Sequence, residues 1–483
     1  MPHVSQKTRG ISFYAKNLKK FEKGVDKSNK IGRQSLRYEF IFQEALPMKH
    51  SPKEVKDTLD RLIHEIAEDA PLCARDPERD FTRKRKLPAE RMLSILLGMG
   101  KEALPDELMT HFDYAPDAAS APAFVQQRAK LRPEALEALF RRFAAAFPSD
   151  RLYRGYRLLA TDGCDVRIPL NPEDTETFFP GSNGQKPFNI TKISALFDIM
   201  SRIYEDALVE GKAVANENKM LVKMIQRSNI QNPVILLGDR NFECWDNMAQ
   251  LQRKGWNYVI RVKEQKGIAS GLNFPNTEEF DMWVNLSLTR KQSKAVKALL
   301  IDRNHYRYIP SCVRCDPLDE SGELFYTLHF RVVRFRLDTG AFEVLITNLD
   351  PEKFPPDELK RLYAMRWGIE TSFRELKYTV GLRYFHAKKA DSIRQEIFAR
   401  LVMYNFCERI TARALIKMDD CKHDYMANFT RAVHLCKALF LGKADPDGIE
   451  LLICRHLSPV RPGRRNPRNL RQQEVVYFLY RAA

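Results

Sequence analysis

Cysteine is scarce in this chain, nine among 483 residues, and the number is odd. Scattered cysteines of that kind exclude the disulfide framework of a small secreted domain. Cys312 and Cys315 form a CxxC, but a zinc ribbon needs a second ligand pair at matching spacing. The later candidates are isolated: Cys407, Cys421 with His423, and His434 with Cys436. A structural zinc is therefore not expected. His64–Glu65 opens an HExxH pattern, yet Glu68 stands where its second histidine belongs, so a zincin site is rejected. Long apolar runs are also missing. None approaches the roughly 18 residues of a membrane span, and the opening MPHVSQKTRG has no apolar signal core. The expectation is a chain of the cytoplasm with no membrane contact. There is no internal repeat and no low-complexity tract beyond basic ends.

Acid is short relative to base. Lys plus Arg number 79 against 62 Asp plus Glu, a formal charge of +17 with pI near 9.4. Such an excess points to a polyanionic partner, with nucleic acid the natural choice. Hydrophobic residues at 44% supply enough material for a core, which excludes wholesale disorder. The length predicts two to four domains. Base is concentrated at the ends. Residues 1–37 carry ten Lys/Arg and two acids, and Arg461, Arg464, Arg465, Arg468 and Arg471 fall together without an acid. Each end reads either as a solvated tail or as an arm that touches DNA.

The chain changes texture along its length. Ser51, Pro52 and Glu54 make an N-cap, an N1 proline and a capping-box partner. Leu59, Leu62, Ile63 and Ile66 follow at helical spacing. A helix through Met92, Ile95 and Leu96 comes after a basic stretch at Arg83–Lys86. A further helix is expected from Ala123 to Phe147, with Leu136, Leu139, Phe140 and Phe143 as its apolar stripe. Residues 1–150 thus read as all-helical with basic margins. After Tyr156 come strands at Arg157–Ile168, Thr191–Met200 and Arg202–Val209. A helix at Glu217–Arg227, a strand at Pro233–Gly238, a helix through Trp245, Met248 and Leu251 and a strand at Tyr258–Val262 complete the run. That order fits an α/β sheet with helices on its faces. Residues 267–352 are strand-rich, with a hairpin turn at Asp338–Gly340. A long helix is expected from Asp357 to Val380, followed by more helices.

Two acids close apolar strands. Asp162 follows Leu158–Leu159–Ala160, and Asp239 follows Val234–Ile235–Leu236–Leu237. A carboxylate beside an apolar run is costly unless paired or coordinated, and strand ends of α/β sheets are where ligands bind. Either alone reads as a turn acid; together they suggest a metal pair. Asp165 is a rival for the first position, but strand alternation puts it on the opposite face from Asp162. The helix after Pro355 contributes Tyr363, Arg366, Glu370 and Lys377. At about 100° per residue these fall within an arc of about 60°, beside an apolar arc of Leu362, Met365, Ile369, Phe373 and Leu376. An amphipathic helix with an Arg366–Glu370 pair accounts for part of this, but not for the two aspartates upstream.

Tyr363-x2-Arg366-x3-Glu370-x6-Lys377 resembles the YREK signature of the insertion-sequence "four" family of DDE transposases. Asp162–Gly163 and Asp239–Arg240 resemble its first two acidic motifs, and Phe81–Leu87 and Phe124–Arg128 its N-terminal region. The resemblance implies an RNase H-like α/β core interrupted by a β-rich insertion. It implies a helical DNA-binding domain over 1–150 and core segments at 151–266 and 353–415. The insertion would cover 267–352, and a helical basic region 416–483. It further implies metal ligation by Asp162, Asp239 and Glu370, with two Mg²⁺ ions that Mn²⁺ can replace. DNA contacts would come from Tyr363, Arg366, Trp367 and Lys377. The implied partners are double-stranded transposon ends and target DNA, engaged by a homodimer. Two rivals share parts of this pattern: a nuclease of the same fold without strand transfer, and a DNA-binding protein derived from a transposase.

Overall fold

Ser51 opens the first described helix as its sequence pattern demands. In α1 (Pro52–Glu68) the Glu54 amide donates to the Ser51 hydroxyl at 3.2 Å, and the Ser51 amide donates to the Glu54 carboxylate at 2.7 Å. The computed structural model describes residues 50–460 except 84, 150, 182–185, 264–266, 338–339 and 412–424, and also the strand at 479–480. The 1–37 arm, the Arg461–Arg471 cluster, Cys421, His423 and most of the Asp338–Gly340 turn therefore lie outside the described residues.

Helices α2 (Ala89–Gly98), α3 (Leu104–His111), α4 (Ala121–Arg128) and α5 (Pro133–Ala146) complete the N-terminal part. The single helix expected over 123–147 is two. Pro133 restricts the residue before it, and Arg132 is extended at φ −72°, ψ 139°. Leu131 forms an isolated bridge to Ala74 in the gap between the two helices. The expected stripe of Leu136, Leu139, Phe140 and Phe143 is buried.

The centre is a mixed α/β arrangement built on a ten-stranded mixed sheet among the described residues. Its main strands are β1 (Arg157–Ile168), β2 (Phe188–Asp198), β3 (Ile203–Gly211), β4 (Val234–Gly238), β5 (Asn257–Val262), β6 (Phe280–Thr289), β7 (Tyr326–Arg336) and β8 (Phe342–Thr347). Two short strands, Phe178–Phe179 and Tyr306–Tyr308, add to β2 and β6. The path runs β3-β2-β1-β4-β5-β8-β7-β6. β1, β2 and β3 form an antiparallel meander, while β4 and β5 run parallel to β1. The parallel step from β4 to β5 crosses over through α7 (Trp245–Lys254), and α6 (Glu217–Arg227) links β3 to β4. The later strands do not form a separate layer: β8 pairs antiparallel with β5 and extends the same sheet.

Alternation separates two apolar faces. Leu158, Ala160, Cys164, Phe197, Ile235 and Leu237 face one cluster, shared with the N-terminal helices and with α10 (Ala390–Thr411). Leu159, Leu196, Val234 and Leu236 face the other, shared with α6 and α7. α10 buries residues on all sides, including Phe398, Leu401, Val402 and Tyr404, as expected of a helix enclosed by others. The N-terminal helices therefore share one continuous core with the sheet and α10, with no break in packing near residue 150. Among the described residues no helix is long and apolar enough to cross a membrane.

Candidate functional site

Register brings the two aspartates together. In the parallel pair β1–β4, Ala160 lies opposite Leu237. Two residues further on, Asp162 and Asp239 are level on adjacent strands. Their inner neighbours Leu158, Ala160, Ile235 and Leu237 all belong to the same apolar face. Two carboxylates thus emerge side by side beyond the last β1–β4 pair; Asp162 lies inside β1, which continues to Ile168, and not at a strand end as expected. Asp162 accepts from the Gly163 amide at 2.7 Å. Asp239 caps the short 3-10 turn Arg240–Phe242, accepting from the Asn241 amide at 2.8 Å.

The third acid arrives on a helix laid over β1. α8 (Pro356–Met365) passes into α9 (Trp367–Glu375) and then into a π turn, Leu376–Val380. The helix expected as one piece is therefore modulated. Its ladder tightens to three-residue bonds around Arg366, where the Arg366 amide donates to Tyr363 and the Ile369 amide to Arg366. It then widens after Glu375 and ends at Gly381, whose φ of +102° suits glycine. Ile369, Phe373 and Leu376 are buried, as the apolar arc requires.

Glu370 lies above the aspartates. Arg366 Nη2 donates to Glu370 Oε1 at 2.8 Å, and Nη1 stands 3.9 Å from Asp162 Oδ2. Burial pushes the Asp162 carboxyl up to about 6, the Gly163 amide and Arg366 oppose the shift, and the charges of Asp239 and Glu370 add to it. Three carboxylates against one guanidinium leave two net negative charges, and their oxygens are hard donors of the kind divalent cations prefer. Arg366 Nε and Nη1 are buried without hydrogen-bond partners among the described residues. The donor set fits a divalent cation. In this conformation no group of three or more His, Cys, Asp or Glu among the described residues is spaced to hold one, and Arg366 reaches into the space between two of the acids.

The remaining signature residues do not share one exposed face. Tyr363 and Arg366 are each 5% exposed, whereas Trp367 is 40% exposed. The Arg366 guanidinium lies 5.7 Å from the Tyr363 ring centroid and 5.1 Å from that of Trp367. Burial pushes the Tyr363 phenol up to about 12. The polar arc is covered here, with Tyr363 packed in the core shared with the sheet and Arg366 held between Glu370 and Asp162. Lys377, in the π turn, donates to the Asp165 carbonyl at 3.0 Å and so reaches β1. Asp165 points away from the acids, toward Lys192 and Lys212.

Arg128, in the N-terminal segment that resembled the transposase family, faces no open surface. It is buried and donates to Gln395, to Glu396 and to the Ser392 carbonyl on α10. Residues that brace the site were not singled out from sequence. Arg202, in the turn between β2 and β3 at φ 58°, holds Glu375 of α9 at 3.0 Å, and Tyr204 shares a hydrogen bond with Ser372 at 2.8 Å. Their only sequence trace is polar residues inside apolar strand patterning.

Asp162, inside β1 beyond its pairing with β4, and Asp239, just past β4, thus lie beside the helix that carries Glu370. The transposase DDE domain model matches residues 153–406, and the chain belongs to that family. More particularly it is an insertion-sequence transposase of the "four" type. It is 24% identical over 362 residues to the transposase InsG for insertion sequence element IS4 of Escherichia coli (strain K12), covering 72% of this chain and 74% of that protein. A cryo-EM structure of the piggyBac transposase synaptic complex with hairpin DNA aligns over 91% of this chain and 90% of that one. The TM-score is 0.42 and the identity 11%.

Proposed function

We propose that this transposase cuts double-stranded DNA at the ends of its insertion sequence and joins them to target DNA. Asp162, Asp239 and Glu370 are the ligands for divalent metal, two Mg²⁺ ions with Mn²⁺ able to substitute. The observation that carries this reading is the convergence of the three acids. They come from β1, from the end of β4 and from α9, and the charges of two of them act on the third. Bound ions would supply Lewis-acid stabilisation of the attacking and leaving phosphodiester oxygens. Asp162 holds its oxygens within β1 and Asp239 just past the end of β4, and Glu370 closes the set from the helix. Arg366 has two unpartnered N–H groups to offer a phosphate. Lys377 adds charge on the same side, and half-exposed Trp367 offers a ring for an end base to stack on, with Tyr363 packed behind the guanidinium.

The order β3-β2-β1-β4-β5 supports an RNase H-like core over 151–266 and 353–415. Residues 267–352 would be its insertion, 1–150 a DNA-binding part and 416–483 a basic C-terminal part. The chain would work in the cytoplasm as a homodimer that holds both inverted repeats. The test uses a duplex of the element's own terminal sequence with Mg²⁺. Asp162→Asn, Asp239→Asn and Glu370→Gln are each expected to abolish cleavage and strand transfer while end binding survives. Near wild-type cutting by any one of them removes that residue from the site. Hydrolysis without joining in the wild type would favour a nuclease.

A further inference from the structure

Asp162 is followed by Gly163, and nothing in the backbone asks for glycine there. The residue lies in unbroken strand, opposite Ser194 in the β1–β2 register, and its φ is ordinary. What excludes a side chain lies on the face of the sheet away from Asp162. A Cβ on Gly163 would lie 2.7 Å from Glu217 Cδ and 3.2 Å from Lys192 Nζ. Glu217 is the first residue of α6 and is held by Lys192, which also pairs with Asp165 at 2.7 Å. The Glu217 carboxylate thus occupies the space that a side chain at 163 would take. The Gly163 amide in turn donates to Asp162 Oδ1 at 2.7 Å.

The next residue of α6 reaches the support of the second acid. Asn218 Oδ1 accepts from Asn247 Nδ2 at 2.6 Å, and the same Nδ2 donates to the Phe242 carbonyl at 3.0 Å. Phe242 closes the turn that Asp239 caps, its amide donating to the Asp239 carbonyl at 3.0 Å. Asn247 is fully buried, so water does not compete for these bonds. The first turn of α6, capped by Asn216 on the Lys219 amide at 3.0 Å, therefore touches the supports of both aspartates from the opposite side of the sheet. We infer that Glu217 and Asn218 are positioning residues. They fix the Asp162 and Asp239 carboxylates relative to each other, through Gly163 and through the Asn247–Phe242 bond. The inference rests on the metal-site reading above and adds to it two residues that lie behind the site rather than in it.

The test titrates Mg²⁺ into the full-length chain and reads the midpoint twice, from the rise in Tm and from cleavage of the element's end duplex. Gly163→Ala is expected to raise both midpoints by about tenfold or more, the scale for lost support of a metal ligand. Asn218→Ala is expected to raise them by about threefold to tenfold, the scale of one hydrogen bond. A purely structural role would lower Tm and leave the midpoints where they were. Adding Glu217→Ala to Gly163→Ala empties the space that the new methyl needs, so the double variant is expected to recover most of the loss. Glu217→Gln keeps that space filled without the charge and is expected to match the wild type. Wild-type midpoints in Gly163→Ala or Asn218→Ala, a double variant no better than Gly163→Ala, or a Glu217→Gln shifted as far as Gly163→Ala each overturns the inference. A wild-type chain that shows no Mg²⁺ midpoint by either readout overturns the metal-site reading itself.

Discussion

Two arginine–glutamate pairs in this molecule share their chemistry and differ in completion. Arg128 gives Nε to Gln395, Nη1 to Glu396 and Nη2 to Ser392. Glu396 in turn accepts from the His386 amide at 3.1 and 3.2 Å, and despite its burial these partners push its carboxyl down to about 2. Arg366 gives one N–H to Glu370 at 2.8 Å and keeps two buried nitrogens unpartnered, and the acid beside it is pushed up rather than down. A saturated pair ties the N-terminal helices to α10. An unsaturated pair, with charge left over, is a place built for something else to enter. Completion, more than residue type, separates scaffold from site.

The largest effect expected is on the saturated pair. Arg128→Ala strands the buried Glu396 and is expected to cost about 3–5 kcal/mol, read as a large fall in Tm that Mg²⁺ does not restore. Arg366→Ala is expected to cost only about 1–2 kcal/mol. Mg²⁺ should recover part of that loss, since a ligand that binds only the fold stabilises it. Equal, Mg²⁺-insensitive losses would erase the distinction between the pairs.

Ile369→Ala tests the helix that carries the unsaturated pair. Ile369 is fully buried next to Glu370, and its cavity is expected to cost about 2–5 kcal/mol. Thermal denaturation checks this; a silent variant would mean that α9 presents another face.

In the pH profiles the two acids have opposite signs. Asp162 moves from 3.8 to about 6, so the fold binds the proton more tightly than the unfolded chain does. Stability from this group falls as pH rises from about 4 to about 6. Asp162→Asn should therefore gain on the wild type across that window, by about 1–3 kcal/mol at pH 7 without metal. Glu396 moves from 4.5 down to about 2, so its contribution is complete above 4.5 and disappears as pH falls toward 2. Denaturant midpoints at a series of pH values, wild type against Asp162→Asn, check the first sign.

Much of the site was legible because its signals are local. The strand Arg157–Ile168 and the helix Glu217–Arg227 end where the residue pattern ends them, and the capping box at Ser51 is formed. Asp239 lies just past the end of β4, as the sequence suggests, whereas Asp162 sits inside β1, beyond the point where its pairing with β4 stops at Ala160. The burial of Tyr363 and Arg366 was not legible, because a helical wheel gives the direction of a side chain and not what packs over it. Neither was the role of Arg128, since its partners lie more than two hundred residues away on α10. Alternation put Asp165 on the opposite face from Asp162, but its partners Lys192 and Lys212 come from β2 and from just beyond β3, whose register a sequence does not display.

The ladder between β1 and β4 acts as a measuring scale with a fine division and a coarse one. Adding one residue between Arg157 and Asp162 would turn the carboxylate to the far side of the sheet, so that dimension tolerates no error. The chain between β5 and α8 only lengthens the sheet beyond β8, away from both aspartates. That stretch can grow or shrink as long as β8 returns to β5 and Pro356 restarts the helix. Insertions and deletions that leave the acids working should therefore collect in this loose dimension and be absent from the tight one.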